Sequence, residues 1–358
     1  MAISFELSDL GWDDGFAADL PAGHVPGRVS RVDRGAADVF TSAGEIRADY
    51  SARIRRAAAE DPVVLPCVGD WVAVRDDRPE LAGVLPRRTS LVRGGVARTS
   101  RGGLSADSKG QVLAANVDVV YIAEPAFPDA EPARVERLLA IAWESGATPV
   151  VVLTKADLAA GLSWVMDELA AAAPGVEVHA VSAVDGQGLA AIRLDPGRTA
   201  VLLGPSGAGK STLVNALAGK PVMETQQIRA ADGRGRHTTT HRELLLLPGG
   251  GLVIDTPGLR RVGLHDVSEG LREAFSDVEE LAAGCRFSDC AHDGEPGCAV
   301  LAAVESGELP ERRLDSWRKL RREATWMAGR VDARLRAEQT RKWKIIHKEM
   351  RRSGRSRP

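Results

Sequence analysis

The sequence predicts a multi-domain chain: a small N-terminal β-barrel, a central α/β unit, and a C-terminal, mostly helical part around a candidate metal cluster. Three observations predict it. Short β-rich runs separated by turn residues fill the region before about residue 93. From Asn116, apolar strand-like runs alternate with amphipathic helical ones. Three of the four cysteines then crowd into fourteen residues of a helical remainder. At 358 residues the chain has room for two or three separate cores.

Residues 1–25 show no sustained periodicity and read as an arm. The β-rich runs follow at Gly27–Val32, Ala37–Thr41, Ile46–Ile54, Val68–Val74 and Gly83–Val92. Five short strands at this spacing suggest a closed barrel of the OB-fold kind over residues 26–110. Ser100–Gly110 is polar and rich in Gly and Ser, as a linker is. In residues 111–266 the runs Val117–Glu124, Thr148–Thr154, Val176–Ser182, Thr199–Gly204, Arg242–Leu247 and Leu252–Asp255 read as strands, with the amphipathic segment Glu131–Ser145 between the first two. That alternation predicts a mostly parallel sheet covered by helices on both faces. Residues 267–358 are helical apart from the cysteine cluster, and end in a polar, basic stretch.

Composition narrows the class. A 44% apolar and 27% charged chain is an ordinary soluble one. No apolar run reaches the roughly 20 residues that cross a bilayer. The acidic start MAISFELSDLGWDDGF lacks the features of a secretory signal, so a cytoplasmic protein without membrane contact is expected. The net charge of −2 hides an asymmetry: Glu311–Pro358 holds 17 basic and 6 acidic residues, a local +11, against −13 for the rest. A basic tail on an acidic body suggests a polyanion partner met at one end, although such a tail can also be a solvated helix face.

Gly204-Pro205-Ser206-Gly207-Ala208-Gly209-Lys210-Ser211 fits the P-loop pattern and Thr212 extends it, between an expected strand and an expected helix. The glycines let successive N–H groups turn toward phosphates, and the helix N-terminus adds a partial positive charge. Lys210 would reach the β- and γ-phosphates and Ser211 would ligate magnesium. Asp255-Thr256-Pro257-Gly258 leaves the strand Leu252–Ile254: Asp255 could hold magnesium through water and Gly258 could offer its N–H to the γ-phosphate.

Thr154-Lys155-Ala156-Asp157 ends another strand and matches the Asn/Thr-Lys-x-Asp pattern that selects guanine. Asp157 would accept from the guanine N1–H and amine, which adenine does not offer in that arrangement, and the stem of Lys155 would lie along the base. A helix N-cap at Asp157 is the plainer alternative. Ser182-Ala183 fits the small motif that approaches the guanine oxygen. The guanine motif thus precedes the P-loop, the reverse of the ordinary order. Since each motif leaves a strand end, all can still meet at one sheet edge, which makes the central unit a circularly permuted P-loop GTPase.

Between P-loop and Asp255, Gly233–His241 is polar, glycine-rich and aperiodic, as a switch loop is. Thr239 and Thr240 are candidates to close on magnesium. Leu259 stands where many GTPases carry a water-positioning Gln, which leaves His237 as the candidate catalytic group, or as a phosphate or RNA contact. Cys285, Cys290, His292 and Cys298 supply a ligand set for structural zinc. Cys67 reads as a small buried hydrophobe.

With these motifs placed, the chain resembles the ribosome small-subunit-dependent GTPase A (RsgA) family. The resemblance rests on the permuted order, the Gly235–Thr240 segment, Cys285-Arg286-Phe287-Ser288-Asp289-Cys290-Ala291-His292 running on to Glu295-Pro296-Gly297-Cys298, and Lys342-Trp343-Lys344-Ile345-Ile346-His347-Lys348. It implies an OB-fold, a permuted GTPase and a zinc domain; binding to the immature small ribosomal subunit and its rRNA late in maturation; and release after subunit-stimulated GTP hydrolysis. The barrel offers only Phe40, Tyr50 and Trp71 as main aromatics, so contacts to RNA backbone and shape are expected there rather than base stacking. A monomer is the default expectation. A nucleic-acid-binding P-loop ATPase, and a GTP-dependent RNA-binding module that hydrolyses nothing, remain the alternatives.

Overall fold

Five strands close on one another ahead of the α/β unit. In a computed structural model that describes residues 4–93, 110–223, 242–255 and 267–331, helix α1 (Asp14–Asp19) leads into β1 (His24–Asp33), β2 (Ala36–Thr41) and β3 (Gly44–Tyr50), then α2 (Ala52–Glu60), β4 (Trp71–Arg75) and β5 (Glu80–Val84). The order β1-β2-β3-β5-β4 returns to β1 through a β1–β4 pairing, with α2 between β3 and β4, an OB-like closed barrel. Val29, Val39, Ala48, Tyr50, Ile54, Val72 and Leu81 fill it.

Two expectations change here. The run Ile46–Ile54 is not one strand: β3 ends at Tyr50, and Ser51 caps α2 by accepting from Ile54 N at 3.3 Å. The alanine-rich ARIRRAAAE segment has the helix propensity that the strand reading overlooked. The run Gly83–Val92 also divides around Pro86, which cannot donate to a ladder: β5 stays in the barrel, while β6 (Ser90–Arg93) pairs with β7 (Gln111–Ala115) in a separate ribbon. The described part of the N-terminal arm is docked. Leu10 and Phe16 are buried, Trp12 meets Trp71 edge-on at 4.7 Å, and Arg88 grips Asp13, the N-cap of α1. Trp71 and Tyr50 are themselves buried and Phe40 packs on Phe5, so these aromatics serve the packing and offer no exposed stacking platform.

The central unit runs β8 (Val119–Pro125), α3 (Pro132–Glu144), β9 (Thr148–Thr154), α4 (Leu162–Ala172), β10 (Val178–Val181), β11 (Thr199–Leu203), α5 (Lys210–Ala218), β12 (Glu243–Leu246) and β13 (Leu252–Asp255). Its order is β10-β9-β8-β11-β13-β12, all parallel except β12 against β13. Alternate residues of the strands face opposite layers. Val120, Ile122, Val151 and Leu153 pack beneath α3, whereas Tyr121, Val152 and Leu202 pack with Leu213 and Val214 of α5. The sheet continues into the barrel, because β12 pairs with β1 at Glu243 and Arg31. Arg28 of β1 seals this junction, donating to Leu10 O, Asn116 O and Thr199 Oγ1; burial pushes its guanidinium down to about 10.

Helices α6 (Ser268–Ala274), α7 (Ser276–Ala282), α8 (Ala299–Ser306) and α9 (Glu311–Val331) follow. Helix α6 crosses α3 so closely that a Cβ on Gly270 would lie 2.0 Å from Ala140 O, and the Glu144 carboxylate accepts from Gly270 N. Arg313 on α9 is fully buried and spends all five donors: two on Asp277, one each on Glu136, Ala172 O and Ala274 O. Arg313→Ala leaves the buried Glu136 short of a partner, and urea unfolding should register a loss of about 3–5 kcal/mol. Among the described residues no helix is long and apolar enough to cross a membrane.

Candidate nucleotide site and metal cluster

All the described strand-end motifs leave the same edge of the sheet. The registers align Val181 with Thr154, Thr154 with Pro125, Leu203 with Ile122 and Ile254 with Val201. Thr154, Ser182, Gly204 and Asp255 therefore emerge side by side, although up to about a hundred residues of chain separate them.

The P-loop turns directly out of β11. Gly204, at φ 145°, passes so close to β8 that a Cβ would sit 2.2 Å from Ala123 O. Pro205, Ser206, Gly207 and Ala208 form the turn, Gly209 is the N-cap at φ 81°, and Lys210, Ser211 and Thr212 make the first turn of α5. The Lys210 ammonium lies within the loop and donates to Gly204 O at 2.9 Å and Pro205 O at 2.7 Å. A cation held by loop carbonyls, beside a helix N-terminus, makes a ready seat for phosphate.

The candidate guanine motif rests on this loop. Thr154 is buried and its hydroxyl donates to Ala208 O at 2.6 Å, with Glu124 O at 3.3 Å. Its side chain is therefore turned to the P-loop backbone. Lys155 adopts the left-handed conformation at φ 58°, an uncommon state for a residue with a Cβ, and hands the chain to the 3-10 turn Ala156–Leu158. Asp157 lies exposed on that turn, and Ala156 is buried beneath it. Ser182 is buried at the end of β10, where its hydroxyl accepts from Asp185 N at 3.2 Å and its carbonyl accepts from Gly186 N, leaving Ala183 at the turn. Asp255 ends β13 half-buried. The expectations for His237, Thr239, Thr240, Gly258 and Leu259, and for the basic tail beyond Val331, lie outside the described residues.

The cysteine cluster closes as its residue types anticipate. Cys285, Cys290, His292 and Cys298 bring their ligand atoms within 4.8 Å of one another. His292 Nδ1 lies 3.6 Å from Cys285 Sγ and 3.4 Å from Cys298 Sγ, and those two sulfurs are 3.9 Å apart. Four ligands set tetrahedrally about one zinc ion would be separated by about 3.6–3.8 Å, so the set fits such an ion. The knuckle is stiff before any ion is considered. Glu295 accepts from Ala291 N and Asp293 N, which holds its carboxyl down at about 2, and Arg318 donates to His292 O. Burial pushes the His292 imidazole below its usual value, toward the neutral form a metal ligand needs.

The RsgA GTPase family model matches residues 84–265. A Streptomyces coelicolor protein named small ribosomal subunit biogenesis GTPase RsgA is 52% identical, over 97% of this chain and 93% of its own length. The chain belongs to the RsgA GTPase family. An Opitutus terrae member bearing the same name is 44% identical over 96% of this chain and 97% of its own. The crystal structure of YjeQ from Thermotoga maritima superposes with a TM-score of 0.63 at 25% identity, covering 84% of this chain and 98% of that one. A structure titled YloQ, a circularly permuted GTPase, gives 0.59 at 24% identity, over 85% and 96% of the two chains, and shares the fold. Membership makes the protein a GTP hydrolase, and the permuted motif order is the one the sequence displays.

Sequence reasoning missed the charged residues that hold this family fold around the site. Glu124 is wholly buried at the end of β8, where Arg134 of α3 donates to both its oxygens and Glu131 N adds a third bond. These hydrogen bonds hold the Arg134 guanidinium above its usual value. The one signal in the sequence is a Glu closing an otherwise apolar strand.

Proposed function

We propose that the protein binds GTP along this sheet edge, hydrolyses it, and acts late in maturation of the small ribosomal subunit, which stimulates hydrolysis and is released by it. The reading is carried by the near full-length match to a relative named for that role. The P-loop–guanine-motif contact through Thr154 supports the site. In this reading the backbone of Gly204–Gly209 and the first turn Lys210–Thr212 cradle the phosphates, and Asp157 reads the guanine edge with Lys155 along the base. Ser182-Ala183 meets the guanine oxygen, and Gly258 faces the γ-phosphate. Ser211, Asp255 and one of Thr239 and Thr240 would hold magnesium bound with GTP, which would supply positive charge against the phosphates. His237 positions the attacking water.

The Cys285, Cys290, His292 and Cys298 set holds one structural zinc ion, since four protein ligands leave no open position. We assign residues 26–110 to the barrel, 111–266 to the GTPase unit and 267–358 to the zinc-binding unit with its basic tail, in a cytoplasmic monomer. The surplus of cations after Glu311 supports contact with rRNA phosphates.

Three measurements test this. GTP turnover by the purified protein should rise when small subunits are added, and the protein should cosediment with them with a GTP analogue but not with GDP. Turnover at background in both conditions sinks the enzymatic part. Asp157→Asn should collapse the preference for GTP over ATP in a competition assay, because the guanine amine loses its acceptor. An unchanged preference would place base selection elsewhere.

A further inference from the structure

Glu124 and Arg134 stand where three parts of the molecule meet. The Glu124 carboxylate is buried beneath the first turns of α3, with Arg134 Nε at 2.9 Å, Arg134 Nη2 at 2.6 Å and Glu131 N at 2.8 Å. Its main chain faces the nucleotide edge: Glu124 O lies 3.3 Å from Thr154 Oγ1, and two residues on, Ala126 N donates to Thr154 O at 2.8 Å. Thr154 in turn holds the P-loop at Ala208 O. One residue thus fixes α3 with its side chain and the guanine motif with its backbone.

Less than one helical turn further along α3, Glu136 and Arg137 face the C-terminal helix. Glu136 pairs with Arg312 and Arg313, and Arg137 forks onto both oxygens of Glu323. A helical turn is stiff, so a tilt of α3 imposed through α9 displaces Arg134 as well. Glu124 is fully buried and takes two of its three hydrogen bonds from that guanidinium, so a displaced Arg134 leaves it short of partners.

We propose that Glu124 and Arg134 are positioning residues for the nucleotide site, and that through them the docking of the C-terminal helix on α3 sets the affinity for guanine nucleotides. The proposal rests on the assignment of this edge as the GTP site. It adds a route from the C-terminal part to the nucleotide separate from the chain segment that joins β13 to α6.

The test uses the full chain and a fluorescent GDP and a fluorescent non-hydrolysable GTP analogue, with circular dichroism as the folding control. Arg134→Ala should weaken both nucleotides on the order of tenfold. KM should rise while kcat at saturating GTP changes little, and Arg134→Lys should recover part of the loss. Glu323→Ala, remote from the edge, should weaken both by about two- to threefold. Should Arg134→Ala fail to fold, Glu124→Gln, which keeps the shape but loses the charge, replaces it with a smaller loss expected in the same direction. Folded edge variants with unchanged nucleotide affinity overturn the positioning role, and an unchanged Glu323→Ala overturns the link to the C-terminal helix. Wild-type protein that binds no guanine nucleotide would instead sink the proposed function.

Discussion

Lys210→Ala is expected to abolish measurable GTP turnover, with a loss in kcat on the order of a hundred- to a thousandfold. The ammonium is aimed into the P-loop, where Gly204 O and Pro205 O hold it at 2.9 and 2.7 Å. Phosphoryl transfer leaves the protein little covalent chemistry to do, so charge placed against the phosphates is most of what it contributes. Alanine removes that charge and takes the lysine donor from Gly204 O and Pro205 O, the second of which still accepts from Ala208 N, so GTP binding should weaken as well. Single-turnover hydrolysis with excess protein separates the two effects. Retention of a tenth or more of wild-type turnover would mean that the charge acting on the phosphates comes from another residue.

Cys298→Ser should have the largest effect on stability. The Cys298 sulfur is buried, lies 3.4 Å from His292 Nδ1 and 3.9 Å from Cys285 Sγ, and also accepts from Leu301 N at the start of α8. A serine hydroxyl is a poor soft ligand and a shorter reach, so both the metal set and the helix cap weaken together. Structural zinc sites hold about 10–16 kcal/mol of binding free energy that is also folding free energy, and losing one thiolate forfeits much of it. Metal analysis should fall from one zinc per chain to near zero, with a loss of helical signal, and a strong chelator should reproduce this in the wild type. Cys67→Ser, at a thiol buried among barrel and ribbon residues, should leave metal content unchanged. Equal metal content in Cys298→Ser and wild type would remove the zinc assignment.

The parts legible in advance were those whose chemistry demands neighbours in the chain. A phosphate cradle needs glycines and a lysine in one turn, and the Gly204–Ser211 pattern predicts the strand–turn–helix that the structure has there. Thr148–Thr154 and Leu252–Asp255 were bounded to the residue, because an apolar run between turn signals has few other ways to fold. Reading failed where local signals were mixed. The segment from Ile46 to Ile54 carries a strand pattern that passes into a capped helix, and periodicity alone did not find Ser51 as the divide. The first 25 residues gave no period, yet Leu10 and Phe16 are buried because the Trp71 face receives them.

Residue order alone therefore displayed the candidate chemistry: a P-loop pattern, a proposed guanine motif, a four-residue set that could hold a metal ion, and the permuted succession shared with the family. Folding alone settled how those parts bear on one another. Thr154 reaches Ala208 across 54 positions, and Arg313 reaches Glu136 across 177. A charge is stable in a protein interior only if remote groups arrive to pair with it or satisfy its hydrogen bonds, and arrival depends on the path of the whole chain. Glu124, Arg28 and Arg313 look like surface residues in the sequence for that reason, and are buried in the structure for the same one.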